Sequence, residues 1–212
     1  MPCLDLDWAR PAIDACRFDE AGHLMVVDNS VTNRGIMRAT NMGLDAMTDE
    51  DWFVIMSSSL VFGPAGGLDF VERLAELPPE HGIANGVPTW GWHLVAFRRN
   101  VVERMGRWDE NFTPYGLDDV DLSIRITKSM PDVQWGGVPI DADDRVMGWS
   151  MKSGKVDAPY APIHAYFMAK WGCDVGHEFE EYNHRPFNNL LNDINYWPSI
   201  NGAHWNRRLG NP

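Results

Sequence analysis

Five carboxylates crowd one stretch of the chain, Asp109, Glu110, Asp118, Asp119 and Asp121, set among the apolar anchors Trp108, Phe112, Leu117, Val120 and Leu122. Like charges held this close raise one another's pKa, and a carboxylate tuned upward suits a general base. The same spacing also fits a solvated helix N-terminus, where Asp118 and Asp119 would meet the positive end of the helix dipole. Two further polar clusters follow apolar runs: Asp28-Asn29-Ser30 after residues 23–27, and Ser57-Ser58-Ser59 after residues 52–56. Short oxygen-bearing side chains at the end of a buried strand are suited to binding a polar ligand.

The elements that must position these residues follow from periodicity. Residues 9–18 read as a short helix with Pro11 near its first turn. Residues 23–27 and 52–56 read as buried strands, and residues 92–97 as a third. Ile36, Ala39, Met42, Leu44 and Met47 recur at helical steps across residues 35–47. Residues 70–77 form a helix that Pro78-Pro79 terminates, and residues 100–105 form a helical turn. Strand, helix, strand, helix, strand predicts an α/β sheet of largely parallel order. In such a sheet Asp28, residues 57–59 and residues 109–121 would surround one crevice. Residues 173–212, rich in Asn, His, Trp and Pro, read as an irregular tail wrapping the domain formed by residues 1–172.

Several common chemistries lack their motifs. No Gly-x-x-x-x-Gly-Lys is present, and no Gly-x-Gly-x-x-Gly follows a strand. His177-Glu178 and His184 have the wrong spacing for a metalloprotease helix, and no Gly-x-Ser-x-Gly marks a hydrolase nucleophile.

The wording of the acidic stretch is more specific. Gly106-x-Trp108-Asp109-Glu110-x-Phe112, then Tyr115-Gly116-x-Asp118-Asp119-x-Asp121-Leu122-x-x-Arg125, resembles the Gly-x-Phe-Asp-Glu-x-Phe and Glu-Asp-x-Asp-Leu-x-x-Arg motifs of family 2 glycosyltransferases. Residues 26–30, Val-Val-Asp-Asn-Ser, resemble that family's nucleotide-binding strand end, and Asn33-x-Gly35-x-x-x-Ala39-x-Asn41-x-Gly43 resembles the segment after it. Ile163-His164 and Lys170-Trp171-Gly172 match late elements of the family. The resemblance covers residues 24–172 in the right order. His164 is also compatible with a core histidine, and Lys170-Trp171-Gly172 with a packing turn.

The resemblance implies a Rossmann-like three-layer α/β/α sandwich of the glycosyltransferase A type that binds a sugar nucleotide, a UDP-sugar being the expected donor. Asp28, Asn29, Ser30, Asn33, Gly35, Arg38, Asn41, Ser57 and Ser59 would contact that donor. Asp119, with Asp118 as the alternative, would deprotonate the acceptor hydroxyl, and a single displacement would invert the anomeric carbon. Trp90, Trp92, Trp108, Asp109 and Glu110 are the candidates for sugar or acceptor contacts. Two departures stand out. The metal-holding Asp-x-Asp element is replaced by Ser57-Ser58-Ser59, and a hydroxyl is a poor hard-cation ligand. Manganese or magnesium would then be held chiefly by the donor diphosphate, with His164 and water completing the shell and Ser59 a lesser candidate ligand, or be replaced by Arg98, Arg99 and Lys170. The family's first strand is also shortened, to residues 2–4.

Composition bounds the rest. The chain has 212 residues, 44% of them hydrophobic and 23% charged, ordinary values for a globular protein able to bury its own core. Thirty acids against 18 bases give a net charge of −12, which argues against non-specific nucleic-acid binding. Ten tryptophans serve either packing or aromatic platforms for a sugar or base. The longest apolar run, residues 52–56, is far short of the roughly 20 residues that span a membrane. Asp5 and Asp7 at an N-terminus without a basic start predict no signal peptide. Cys3, Cys16 and Cys173 match neither a disulfide framework nor a zinc site, so a cytoplasmic, reduced protein is expected. The acceptor could be protein, glycan or modified nucleic acid, and homo-oligomers stay open. A retired sugar-nucleotide-binding module and a transferase acting on modified DNA are the alternative functions.

Overall fold

The computed structural model describes residues 1–3, 5–20, 22–32, 34–46, 49–86, 93–113, 116–144, 160–172 and 174. The tail assigned to residues 173–212 thus lies, apart from Asp174, outside the described residues, as do Asn33, Trp90 and Trp92. In chain order the elements are β1 (Pro2–Cys3), α1 (Leu6–Cys16), β2 (Val27–Asp28), α2 (Ile36–Ala46), β3 (Trp52–Met56), β4 (Leu60–Phe62) and α3 (Leu68–Glu76). There follow β5 (His81–Asn85), β6 (Leu94–Arg98), α4 (Arg99–Met105), α5 (Asp118–Ser129), β7 (Gln134–Gly137), β8 (Ala142–Asp144) and α6 (Tyr160–Trp171).

The central sheet has the order β3-β6-β5-β7. It is mixed, which corrects the parallel order expected from alternation. β6 runs antiparallel to both β3 and β5, and only β5 and β7 pair in parallel. The reversal follows from chain length: only residues 86–93 link β5 to β6, too few for the crossover of a dozen or more residues that parallel neighbours need. Met56 therefore stands opposite Leu94, while Trp52 stands opposite Arg98. Two small sheets complete the fold, β1 with β2 in parallel and β4 with β8 antiparallel.

Strand alternation divides the core between the two faces of the central sheet. Phe53, Ile55, Ile83, Val95 and Phe97 pack with Met37 of α2, Val101 of α4, Ile124 of α5 and Phe167 of α6. Met56, Ala84, Leu94 and Ala96 pack instead with Ala12 and Cys16 of α1 and with Phe70 and Leu74 of α3. Trp108, nearly fully buried, meets Phe97 edge-on with ring centroids 5.6 Å apart.

Local chemistry explains the shifts in boundaries. α1 starts earlier than periodicity suggests because Asp5 caps it, its carboxylate accepting from the Trp8 N–H at 3.1 Å. Pro11 consequently falls inside the helix, which ends at Arg17 in the left-handed region, φ 54°. The strand expected over residues 23–27 shrinks to Val27–Asp28, since β1 supplies only two paired residues beside it. β6 begins at Leu94, two residues after the expected start, and α2, β3, α3 and α4 lie where periodicity puts them, to within two residues.

Candidate active site

The first cluster is the turn after β2. The Asp28 carboxylate accepts from the Ser30 N–H at 2.8 Å. The Ser30 hydroxyl and N–H, with the nearby Arg34 guanidinium, hold the exposed Asp28 carboxyl below its ordinary range. Arg34 donates to the Asp28 carbonyl at 3.1 Å and lies 3.5 Å from the Asn29 side-chain oxygen, so it ties this turn to the entry of α2. Asn29 is buried, and its N–H donates to the Cys3 carbonyl at 2.7 Å. Gly35 has φ 82°, a conformation that side chains resist, and it turns the chain into α2. Arg38 is half-buried on α2. Arg34 is absent from the sequence-derived set, although its place between Asn33 and Gly35 of the quoted motif was a usable signal.

The second cluster follows β3. The Ser57 N–H donates to the His93 carbonyl at 2.7 Å, anchoring this turn to the segment that enters β6. The Ser57 and Ser59 hydroxyls bond each other at 2.8 Å, and Ser59 is buried. Both oxygens are thus engaged before any cation arrives. Among the described residues, no group of three or more His, Cys, Asp or Glu side chains is arranged to hold a metal. His164 lies half-buried on α6, with Nε2 2.5 Å from the Asp174 carboxylate.

The segment 106–113 is fastened to α2 from inside. Asn41 accepts from the Trp108 N–H at 2.9 Å and donates to the Trp108 carbonyl at 3.0 Å and to the Glu110 carboxylate at 2.9 Å. Asn41 is thereby a strut between two segments, and its side chain is buried away from any donor. Asp109 is buried as well. Its carboxylate accepts from Lys170 at 2.6 Å, from Tyr166 at 2.7 Å and from the Asn111 side chain at 2.8 Å. Burial alone would raise this carboxyl, but the Lys170 ammonium and these hydrogen bonds hold it below the usual range. The Tyr166 hydroxyl is pushed up, by burial and by the Asp109 charge. Lys170 also meets Asp121 at 2.7 Å, and Asp121 accepts from the Trp171 indole at 3.0 Å and from Arg125 at 3.1 Å. Arg125 in turn donates to the carbonyls of Met105 and Arg107, each at 2.9 Å. One buried polar network therefore fixes α5, α6 and the segment before α5 to each other.

That network corrects three expectations. Trp108 and Asp109 face the interior, so neither presents itself to a sugar. Lys170 is fully buried and committed to two carboxylates, so it is no substitute cation. Arg98 and Arg99 fail for a different reason. Antiparallel pairing puts the end of β6 beside the start of β3, about 13 Å from Met56 at the usual rise per strand residue. There Arg98 donates to the His81 and Leu77 carbonyls, each at 2.9 Å, and covers the Trp52 ring, while Arg99 reaches the Glu50 carbonyl.

The third cluster opens α5. Gly116 and Leu117 have φ of 119° and 60°, and this left-handed turn aims Asp118 and Asp119 at the head of the helix. Leu117 lacks glycine's freedom at such a φ, and backbone strain of this kind concentrates at working sites. The Asp118 carboxylate accepts from the Gly116 N–H at 3.0 Å, and Asp119 accepts from the Val120 N–H at 2.9 Å. Burial, followed by the neighbouring Asp119 charge, raises the Asp118 carboxyl to about 7. Neither aspartate makes a side-chain ion pair within 4 Å among the described residues, unlike Asp121 and Asp109 close by.

No protein-family model and no curated protein matches the chain. Among solved structures, the chain is similar to the mannosyltransferase PcManGT from Pyrobaculum calidifontis, determined in complex with GDP-Man and Mn2+. The identity is 16% and the TM-score 0.45, over 92% of this chain and 58% of that one. The chain thus spans little more than half the length of that structure. Among the described residues, no helix is long and apolar enough to cross a membrane.

Proposed function

We propose that the protein is an inverting glycosyltransferase that moves a sugar from a nucleotide-sugar donor to an acceptor hydroxyl. The observation that carries this reading is the Asp118–Asp119 pair at the head of α5, within the stretch that resembles the family 2 motif. The Asp118 carboxyl, near 7, can take a hydroxyl proton in the transition state and still release it to water, which keeps Asp118 as the alternative to Asp119 for the base. The hydroxyl oxygen then attacks the anomeric carbon as the bond to the diphosphate oxygen breaks on the opposite face. The proton ends on the carboxylate and the electron pair on the diphosphate. The division of the core between the two sheet faces supports the Rossmann-like layered reading, and the crevice is the proposed meeting point of the three clusters.

In this scheme Asp28, Ser30 and Arg34 bind the nucleoside. Arg38, one turn into α2, faces the diphosphate and offsets its charge. The Ser57–Ser59 pair supplies neutral oxygens, and the residues present do not form a cation cage on their own. No step is therefore routed through a metal. The mutual bond between those hydroxyls favours the second reading, a sugar-nucleotide-binding module without turnover.

A panel of UDP-, GDP- and TDP-sugars, assayed for transfer and hydrolysis with and without manganese, separates the two. Turnover that Asp119→Asn abolishes supports the transferase. Donor binding by both proteins, with no turnover in either, supports the module. Failure to bind any donor rejects both.

A further inference from the structure

β7 is the outer strand of the central sheet and pairs with β5 alone among the described residues. The N–H groups of Gln134, Val138 and Ile140 donate to the Glu80, Asn85 and Gly86 carbonyls at 3.0, 2.9 and 3.1 Å. Backbone groups alternate sides along a strand, so these residues turn theirs toward β5, while the N–H and C=O of Trp135 and Gly137 face outward. Exposed edges in natural proteins usually carry charges, prolines or a covering element. Residues 134–137 include no charged side chain, and Pro139 comes only at the next outward position.

The two faces of this edge differ. Gly136 is in register with Ala84, and a Cβ there would lie 3.2 Å from the His81 ring and 3.3 Å from Leu77, so that face is closed. Trp135 and Gly137 lie on the other face, in register with Ile83 and Asn85. Trp135 is 40% exposed, a large apolar ring left in water, and a Cβ on Gly137 would meet no atom within 4 Å. An uncovered ring and an empty place thus stand side by side on one strand. Antiparallel pairing of two such strands about Gly136 sets Trp135 of each copy opposite Gly137 of the other. Each outward N–H then meets an outward carbonyl, and each ring covers the other copy's glycine, as aromatic side chains do for bare positions at strand edges. A slip of two residues either way puts Trp135 opposite itself or opposite Pro139 and loses that match. Charges at the two ends are already offset, Arg104 by Asp132 and Arg73 by Asp69, with Arg73 also donating to the Pro139 carbonyl.

We propose that the β7 edge is an interface between two copies of this chain, whose β7 strands pair antiparallel about a two-fold axis at Gly136 and merge the central sheets into one. The same patch serves both copies, so the assembly closes at two and leaves no β7 edge to propagate. One tryptophan and a few backbone groups per copy make a small interface, so the dimer is weak, with Kd on the order of 10 µM or above. The proposal does not depend on the assignment of the acidic site.

The test is sedimentation equilibrium of the full chain from about 1 to 300 µM, a range that brackets this affinity. The wild type should pass from monomer toward dimer with no larger species. At the upper concentration the Trp135 and Gly137 amides should exchange more slowly, while those of Gln134 and Val138, already bound to β5, stay unchanged. Trp135→Lys puts a charge on the edge and Gly137→Pro removes an outward N–H, and each should weaken association about tenfold or more. Trp135→Phe should keep most of it. If Gly137→Pro fails to fold, Trp135→Lys carries the test, with an unchanged circular dichroism spectrum showing that the fold persists. A chain that stays monomeric throughout, a dimer that Trp135→Lys leaves intact, or growth into larger species would overturn the proposal.

Discussion

Asp118 and Asp119 sit side by side but in different surroundings, and the difference sets what each can do. Asp118 is desolvated and carries a carboxyl near 7, so it is half-protonated at neutral pH. Under the proposed function Asp119 is the base, on the motif resemblance given above. Asp119→Asn should lower turnover by about 10²-fold or more while donor binding persists, as read by steady-state kinetics and calorimetry. Were Asp118, the alternative, the base instead, deprotonation of its carboxyl would create it, and kcat/KM of the wild type would fall on the acid side of about pH 7. The same carboxyl has the opposite sign for stability. Its folded pKa lies above the unfolded value of 3.8, so the fold favours the protonated form. Stability from this group is fully present below pH 3.8 and is lost as pH rises through about 7. Asp118→Asn should therefore raise Tm at pH 8 and leave it nearly unchanged at pH 4. An equal shift at both values would refute the buried, proton-retaining carboxyl.

At the scale of elements, two buried polar links hold the acidic segment in place. Asn41 of α2 spans Trp108 and Glu110 with three hydrogen bonds. Asn41→Ala would leave the buried Trp108 amide and carbonyl without these partners, at a cost of about 1–3 kcal/mol in chemical denaturation. Lys170 of α6 compensates Asp109 and Asp121 together. Lys170→Met would strand two buried carboxylates, and breaking such pairs costs about 3–5 kcal/mol. That corresponds to a Tm fall of about 10 °C for a chain of this size. The double change Lys170→Met with Asp109→Asn should recover part of that loss, because one stranded charge is removed; no recovery would show that the lysine acts by packing alone.

At the scale of the whole molecule, the proposed function requires an acidic protein to accept a polyanionic donor against its own charge of −12. Arg34 and Arg38 are the basic groups nearest the Asp28 turn in sequence, and Ser57 with Ser59 brings no formal charge. Manganese alone should leave Tm unchanged, whereas manganese with a nucleoside diphosphate should raise it, because the diphosphate brings the negative ligands. Ser59→Asp should convert the first result into a measurable Tm rise. A Tm shift of the wild type by metal alone would mean that a cation site is already complete.

Much of this molecule is legible in its chain because the signals are local. The unbroken apolar run of residues 52–56 specifies a strand with two buried faces, helical spacing locates α2, and the Asp118-Asp119 doublet marks a helix head whatever surrounds it. Chain order alone suffices for these, since each depends on neighbours within a turn or two. Strand direction does not follow from such patterns: β6 reads identically whether it runs with β3 or against it. Only the tertiary pairing carried Arg98 and Arg99 to the far end of the sheet. Burial of charge is equally non-local. Asp109, Lys170 and Asp121 are distant in sequence, and packing of α6 against α5 decides that they neutralise one another rather than meet a ligand. Among the described residues Asp118 makes no such ion pair, and its carboxyl is raised where that of Asp109 is lowered.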